Sequence, residues 1–184
     1  AMRDPTLLFQ GLRELASQGV ISPDFCRVHW YVDPVSWSLI DSEANKYGVR
    51  EYMDMKGFVP ASEIPHLLNC SSVLLILTNK STGDGPKGVM TTKLFESMAV
   101  RKPILCIRND EGVLEKTLRK TQAGIAASNV DEVCAFLGAA IQQWQEYGYT
   151  SSPVRADAIE PYSRKGQALQ FIQLFNRYSN NMLS

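Results

Sequence analysis

Two short, mainly apolar runs, Val73-Leu74-Leu75-Ile76-Leu77-Thr78 and Pro103-Ile104-Leu105-Cys106-Ile107, bracket a stretch with a different rhythm. Unbroken apolar runs of that length suit strands buried on both faces, as in a parallel sheet. Between them, residues 91–102 place Leu94, Phe95, Met98 and Ala99 at helical spacing, on one side of the turn. The pattern predicts a strand, a glycine-bearing loop over 79–90, a helix and a second parallel strand. In such a unit the loop and the helix start lie at the carboxyl edge of the sheet, where ligands bind.

The rest of the chain alternates in the same way. Asp4-Pro5 predicts a helix to about residue 18, with Asp4 as N-cap, a stripe of Leu7, Leu8, Leu12 and Leu15, and Gly19 as terminator. A strand follows over 27–32, stopped by Asp33-Pro34. A helix over 36–47 closes at Gly48, and a strand over 52–59 carries Gly57 near its end, where a bend is expected. Ser62 opens a short helix containing Pro65. After the central unit come a helix over 113–121 closed by Gly124, a strand over 125–127, and a long helix over 130–147 capped by Asn129 or Ser128. Residues 148–161 read as loop and 163–179 as a final helix. The five strands imply one α/β domain over residues 1–184, Rossmann-like or flavodoxin-like in three layers, with a five-stranded parallel sheet.

Charge narrows the function. Lys plus Arg and Asp plus Glu both number 19, which speaks against nucleic-acid binding by overall positive charge. No stretch is apolar enough to span a bilayer, and no secretory leader pattern opens the chain. Cys26, Cys70, Cys106 and Cys134 are far apart, as expected of reduced, mostly buried thiols in a cytoplasmic protein; neither they nor His29 and His66 have zinc-ligand spacing.

The loop contains Gly83-Asp84-Gly85-Pro86-Lys87-Gly88, formally G-x-G-x-x-G. Its mid-chain place, late helix start and Pro86 make a poor dinucleotide fingerprint, and Val89-Met90 stand where a phosphate-binding P-loop needs Lys and Ser or Thr. The helix start says more. Thr91 and Thr92 leave free N–H groups at the cleft, which with the helix dipole favour an anion such as a diphosphate. Lys93 adds a full charge. Glu96, one turn on and off the apolar stripe, could accept hydrogen bonds from two adjacent ribose hydroxyls in the same crevice. The plain alternative is an exposed Lys93–Glu96 pair worth only tenths of a kcal/mol.

The segment Thr92-Lys93-Leu94-Phe95-Glu96-Ser97-Met98-Ala99-Val100-Arg101-Lys102-Pro103-Ile104-Leu105 resembles the nucleotide-binding segment of GT-B glycosyltransferases of the group 1 type. Weaker likenesses run through Asp4-Pro5 to Leu12, Met55-Lys56-Gly57-Phe58-Val59-Pro60, Ser71 to Leu75, and Ala123-Gly124-Ile125, so the resemblance spans about residues 4–140. It implies a donor-binding domain for a UDP-, GDP- or ADP-sugar without cofactor or metal. Glu96 would hold the ribose, Thr91, Thr92 and Lys93 the diphosphate, and Phe58 and Val59 the base; no catalytic residue is assigned. It further implies a fragment of a two-domain, bacterial-polysaccharide type of enzyme, inactive alone, whose N-terminal domain holds the acceptor. Peripheral membrane association of the full protein and self-association of the fragment through an exposed apolar patch are expected partners of that reading.

Three departures accompany the resemblance. Gly88 stands where the family often has a second Glu, Val32-Asp33-Pro34 lacks the family's basic clamp, and the family's first strand and glycine turn do not precede the first helix. In the family that strand lies mid-sheet. Either strand 27–32 pairs directly with strand 73–78 or another chain fills the gap; direct pairing, in order 2-1-3-4-5, is the expectation. Half of a sugar-nucleotide epimerase and a non-catalytic flavodoxin-like binding domain are the competing readings.

Overall fold

The computed structural model describes residues 4–78, 90–108 and 112–182, with side chains to residue 178. The G-x-G-x-x-G segment, including Gly88, lies outside the described residues. The described elements are α1 (Thr6–Ser17), β1 (Val28–Trp30), α2 (Pro34–Lys46), β2 (Met53–Met55), α3 (Ile64–Cys70), β3 (Leu74–Leu77), α4 (Thr92–Ala99), β4 (Ile104–Ile107), α5 (Val113–Thr121), β5 (Gly124–Ala127), α6 (Val130–Tyr147), α7 (Ala156–Ile159) and α8 (Arg164–Met182).

All strand pairs are parallel, and they form two sheets rather than one. β1 pairs with β2 in the register Val28↔Met53. β3 pairs with β4 through Leu74↔Ile104, and β4 with β5 through Ile104↔Gly124. The expected β1–β3 pairing is absent among the described residues, so the sheet is not five-stranded in order 2-1-3-4-5. Apolar runs locate strands but carry no record of their neighbours, which non-local packing decides.

The three-stranded sheet is covered on both faces. Leu105, Ile107 and Ala127 face a core built with Leu8, Phe9 and Leu12 of α1 and Val133 of α6. Ile104, Cys106 and Ala126 face a second core with Leu94 and Met98 of α4 and Leu114 and Leu118 of α5. Alternate residues of a strand point to opposite faces, which is why β4 is buried throughout. The first core also takes in Trp30, Met53 and Tyr52, so α1 packs over both sheets. Across β1 and β2, the Trp30 indole N–H donates to the Met53 sulfur at 3.1 Å.

Local signals explain most boundaries. Asn129 caps α6, accepting from the Glu132 N–H at 2.9 Å, while Glu132 reaches back to the Ser128 N–H at 2.7 Å. This reciprocal box ties up two donors that the helix start would otherwise leave unpaired. In α1 the helix starts at Thr6, but Asp4 still accepts from the Thr6 N–H at 2.9 Å. Gly124 does not close α5: Gln122 takes the left-handed position, and Gly124 is the first residue of β5. Residues 156–162, expected to be loop, form α7 and a 3-10 turn. The segment after α6 returns under the amino edge, where the buried Thr150 hydroxyl donates to the Ser72 carbonyl. Beyond it, α8 exposes Leu169, Phe171, Ile172, Leu174, Phe175 and Tyr178.

All four cysteines are free thiols. Cys106 is buried, but Cys70 is exposed at the end of α3 with its sulfur 3.6 Å from His66 Nε2, contrary to the expectation of mostly buried thiols. Among the described residues no helix is long and apolar enough to cross a membrane.

Candidate functional site

The carboxyl edge gathers the ends of all five strands. Both sheets run the same way: Phe25, ahead of β1, meets Trp144, near the end of α6, edge to face at 5.3 Å, so the amino ends of β1 and β5 share a side. At the opposite side, Arg108 follows β4 and its Nη2 lies 3.2 Å from Asp4 Oδ2, at the entrance to α1.

On the β1–β2 side the edge is built by Asp33, Trp37 and Gly57. Asp33 caps α2, accepting from the Ser36 N–H at 3.0 Å and the Ser36 hydroxyl at 2.8 Å. Those bonds, the hydroxyl first, stabilise the charged form and hold the Asp33 carboxyl below its ordinary pKa. The Trp37 indole donates to the Val32 carbonyl at 3.1 Å, and its ring lies beneath Gly57, whose φ of +64° turns the chain out of β2. Phe58 follows that turn and is 81% exposed, while Val59 is half-buried. Lys56 is committed to Asp54 at 2.7 Å, and Asp54 also meets His29 at 3.0 Å; Lys56 before His29 lowers the Asp54 pKa.

Asp33 gives a sign that can be checked. Its folded pKa is depressed, so its stabilisation is fully present above the unfolded pKa, near 3.8, and lost as pH falls through the lower folded value. Asp33→Asn is expected to flatten this acid-side loss. Thermal melts at pH 7 and pH 3 should differ less for the variant than for the parent chain, and an equal difference would refute the cap's contribution.

On the other side, α4 starts after Thr91, which has extended backbone angles and whose side chain makes no cap bond. The first amide bonded back is Leu94, to the Thr91 carbonyl at 3.0 Å; the N–H groups of Thr92 and Lys93 have no partner among the described residues. Such groups at a helix start carry partial positive charge outward. Leu94, Ser97 and Met98 are buried, which turns Lys93 and Glu96 outward, both exposed. No ion pair joins Lys93 to Glu96 or to any other described residue, so the plain pairing reading is not what the side chains do. The Phe95 ring stacks on Tyr162 at 6.2 Å, fixing the roll of α4. Met90 approaches α5, its sulfur 3.4 Å from the Thr117 hydroxyl.

The structure thus brings Thr91, Thr92, Lys93 and Glu96 together on the first turns of one helix. Phe58 and Val59 lie on the same edge but follow β2, in the other sheet, and no described contact joins them to α4. The segment 79–89, which precedes α4 in the sequence, lies outside the described residues. Among the described residues, a cavity of about 220 Å3 lies at the amino edge, between Pro103, Gln122–Gly124, α6 and Ser151–Pro153.

Arg108 is the edge residue that sequence reasoning missed. Its amide donates to the Thr78 hydroxyl at 3.0 Å, and that hydroxyl donates to the Arg108 carbonyl at 2.8 Å, clamping the carboxyl ends of β3 and β4 together. Its Nε is buried without a hydrogen-bond partner among the described residues. A cation directly after a buried strand was the available signal, since strand ends in parallel sheets point at the ligand edge. Comparison with models of known protein families gives no match, and comparison with curated proteins likewise gives none.

Proposed function

We propose that this chain is the donor-binding domain of a GT-B type glycosyltransferase, Rossmann-like in three layers, and that it binds a nucleoside diphosphate sugar at its carboxyl edge. The observation that carries this reading is the start of α4: within two turns follow the N–H groups of Thr92 and Lys93, the exposed Lys93 ammonium and the exposed Glu96 carboxylate, none with a partner among the described residues. The amides and Lys93 meet the diphosphate, with Arg108 as a second cation on the same edge. Glu96 accepts from the two ribose hydroxyls. The exposed ring of Phe58 and the main chain at Val59 meet the base. Stabilising the departing diphosphate by fixed donors is electrostatic catalysis and needs no proton transfer from this domain. The acceptor is held by a separate domain, and the apolar residues that α8 leaves exposed support a neighbour of that kind.

Calorimetric titration with UDP, GDP and ADP tests the reading. One of the three is expected to bind, and Glu96→Ala to weaken it by about 1–3 kcal/mol, the range for a lost charge-assisted hydrogen bond. Lys93→Ala should weaken the nucleoside diphosphate more than the nucleoside. An affinity unmoved by both substitutions, or no binding of any of the three, sinks the assignment.

A further inference from the structure

α3 turns its apolar residues inward and keeps a polar outer side. Ile64, Leu67 and Leu68 are half-buried, and Leu68 packs against the core that holds Leu94 and Leu114. His66, Asn69 and Cys70 are exposed. Residues four apart on a helix stand one above the other, so the backbone itself sets His66 beside Cys70. The turn that carries Cys70 is tied down. The Ser71 hydroxyl donates to the Leu67 carbonyl at 2.8 Å, and the Asn69 side-chain amide to the Pro65 carbonyl at 2.8 Å.

The Cys70 sulfur lies 3.6 Å from His66 Nε2 and 3.9 Å from His66 Nδ1. A tetrahedral zinc ion takes thiolate sulfur at about 2.3 Å and imidazole nitrogen at about 2.0–2.1 Å, which sets the two ligand atoms about 3.5–3.6 Å apart. The separation of Sγ and Nε2 already matches that bite. Neither side chain has another partner among the described residues, so a cation displaces no other contact. In the linear sequence His66-x-x-x-Cys70 lacks the Cys-x-x-Cys that marks a zinc finger, and the expectation was of no ligand spacing. One turn of α3 supplies it, as two ligands four apart on a helix do in helical zinc sites. The plain alternative is a thiol–imidazole hydrogen bond, which the same distance allows.

We propose that His66 Nε2 and the Cys70 thiolate chelate a borderline-soft divalent cation, zinc, on the outer side of α3. Thiolate with imidazole selects zinc over magnesium and calcium, which take oxygen ligands. Binding exchanges the thiol proton for the metal. The S–H bond breaks, the proton passes to solvent, and the S–Zn bond forms without a change of oxidation state. Among the described residues no third His, Cys, Asp or Glu joins the pair, so the remaining tetrahedral positions fall to water. The chelate staples the last turn of α3, just ahead of β3. It lies toward the amino end of β3, on the side away from the start of α4, and does not depend on the glycosyltransferase reading.

The test titrates zinc into the reduced 184-residue chain against a chromophoric chelator, with cobalt(II) as the spectroscopic probe. One zinc per chain is expected, with release of about one proton at neutral pH. Cobalt should give a thiolate-to-metal charge-transfer band and the intense visible bands of tetrahedral coordination. His66→Ala and Cys70→Ser should each weaken zinc at least tenfold. Both residues are exposed, so the metal-free melting temperatures should match the parent chain. Cys134→Ser, which removes another accessible thiol, should leave zinc binding unchanged. Zinc should also slow amide exchange in α3. A ratio of one zinc to two chains, with the same loss in both variants, keeps the chelate and gives its other positions to the pair on a second copy. No zinc binding by the parent chain overturns the proposal and leaves the hydrogen bond. So does binding that survives either substitution, a cobalt spectrum without the thiolate band, or magnesium bound as tightly as zinc.

Discussion

Replacing Phe9 with alanine is expected to lower the unfolding free energy by about 3–5 kcal/mol, the range for deleting a fully buried aromatic side chain. Phe9 is 0% exposed. Its ring meets Trp30 of β1 edge-on at 6.3 Å and Tyr47, after α2, at 6.4 Å. The same residue belongs to the cluster that contains Leu105 and Ile107 of β4. With no hydrogen bonds between β1 and β3, α1 is the bracket between the two sheets, and Phe9 is its largest fully buried side chain. The loss should therefore exceed what area alone predicts, because the cavity sits where the halves meet. For a chain of this size the expected fall in melting temperature is about 6–20 °C. Tyr47 and Trp30 flank the void and can close it only by moving β1 with them, so amides of β1 and β2 should exchange faster than those of β4. Urea unfolding followed by fluorescence checks the first statement and hydrogen exchange the second. A loss below about 1.5 kcal/mol would show that the bracket lies elsewhere.

Gly124→Ala should be nearly as damaging despite adding a single methyl group. A Cβ at this position would stand 1.9 Å from the Ile104 carbonyl oxygen and 2.6 Å from its carbon. Both atoms are backbone of the paired strand, at the register Ile104↔Gly124. A side chain could rotate away; a strand cannot without breaking the Ile104 N–H bond to the Ala123 carbonyl, now 3.0 Å. Overpacking against rigid atoms lies at the upper end of the usual range, about 3 kcal/mol. Gly138→Ala in α6 is the internal contrast. Nothing lies within 4 Å of a Cβ there, and alanine is the better helix former by about 0.5–1 kcal/mol. Opposite signs are expected from the same chemical change at two glycines, read from melting temperatures. Two similar losses would remove the steric explanation.

Much of the architecture was legible without coordinates, and the reason is range. α5 and α6 fall on their expected bounds, Val113–Thr121 and Val130–Tyr147, because helical spacing, Asn129 and Gly148 act within a few residues of one another. Gly48 and Gly57 have the positive φ that turn glycines take, and β3 and β4 lie within their apolar runs. The same local spacing put Lys93 and Glu96 on the outer side of α4, clear of Leu94 and Met98. Gly124 was misread for a related reason. Glycine marks a helix end and a close strand approach equally well, and only the Ile104 carbonyl distinguishes them.

What tertiary structure alone decided is which strands meet. The sequence by itself determined that five parallel strands and their helices exist and which faces are apolar, since those depend on neighbours three or four residues away. It carried no information on the β1–β3 contact, because hydrogen-bond pairing is a competition among strands distant in the chain, settled by how α1 packs over both. Arg108 became a feature of the ligand edge in the same way: its meaning comes from Asp4 and Thr78, residues 104 and 30 positions away. Local chemistry writes the elements, and the shared core chooses their partners.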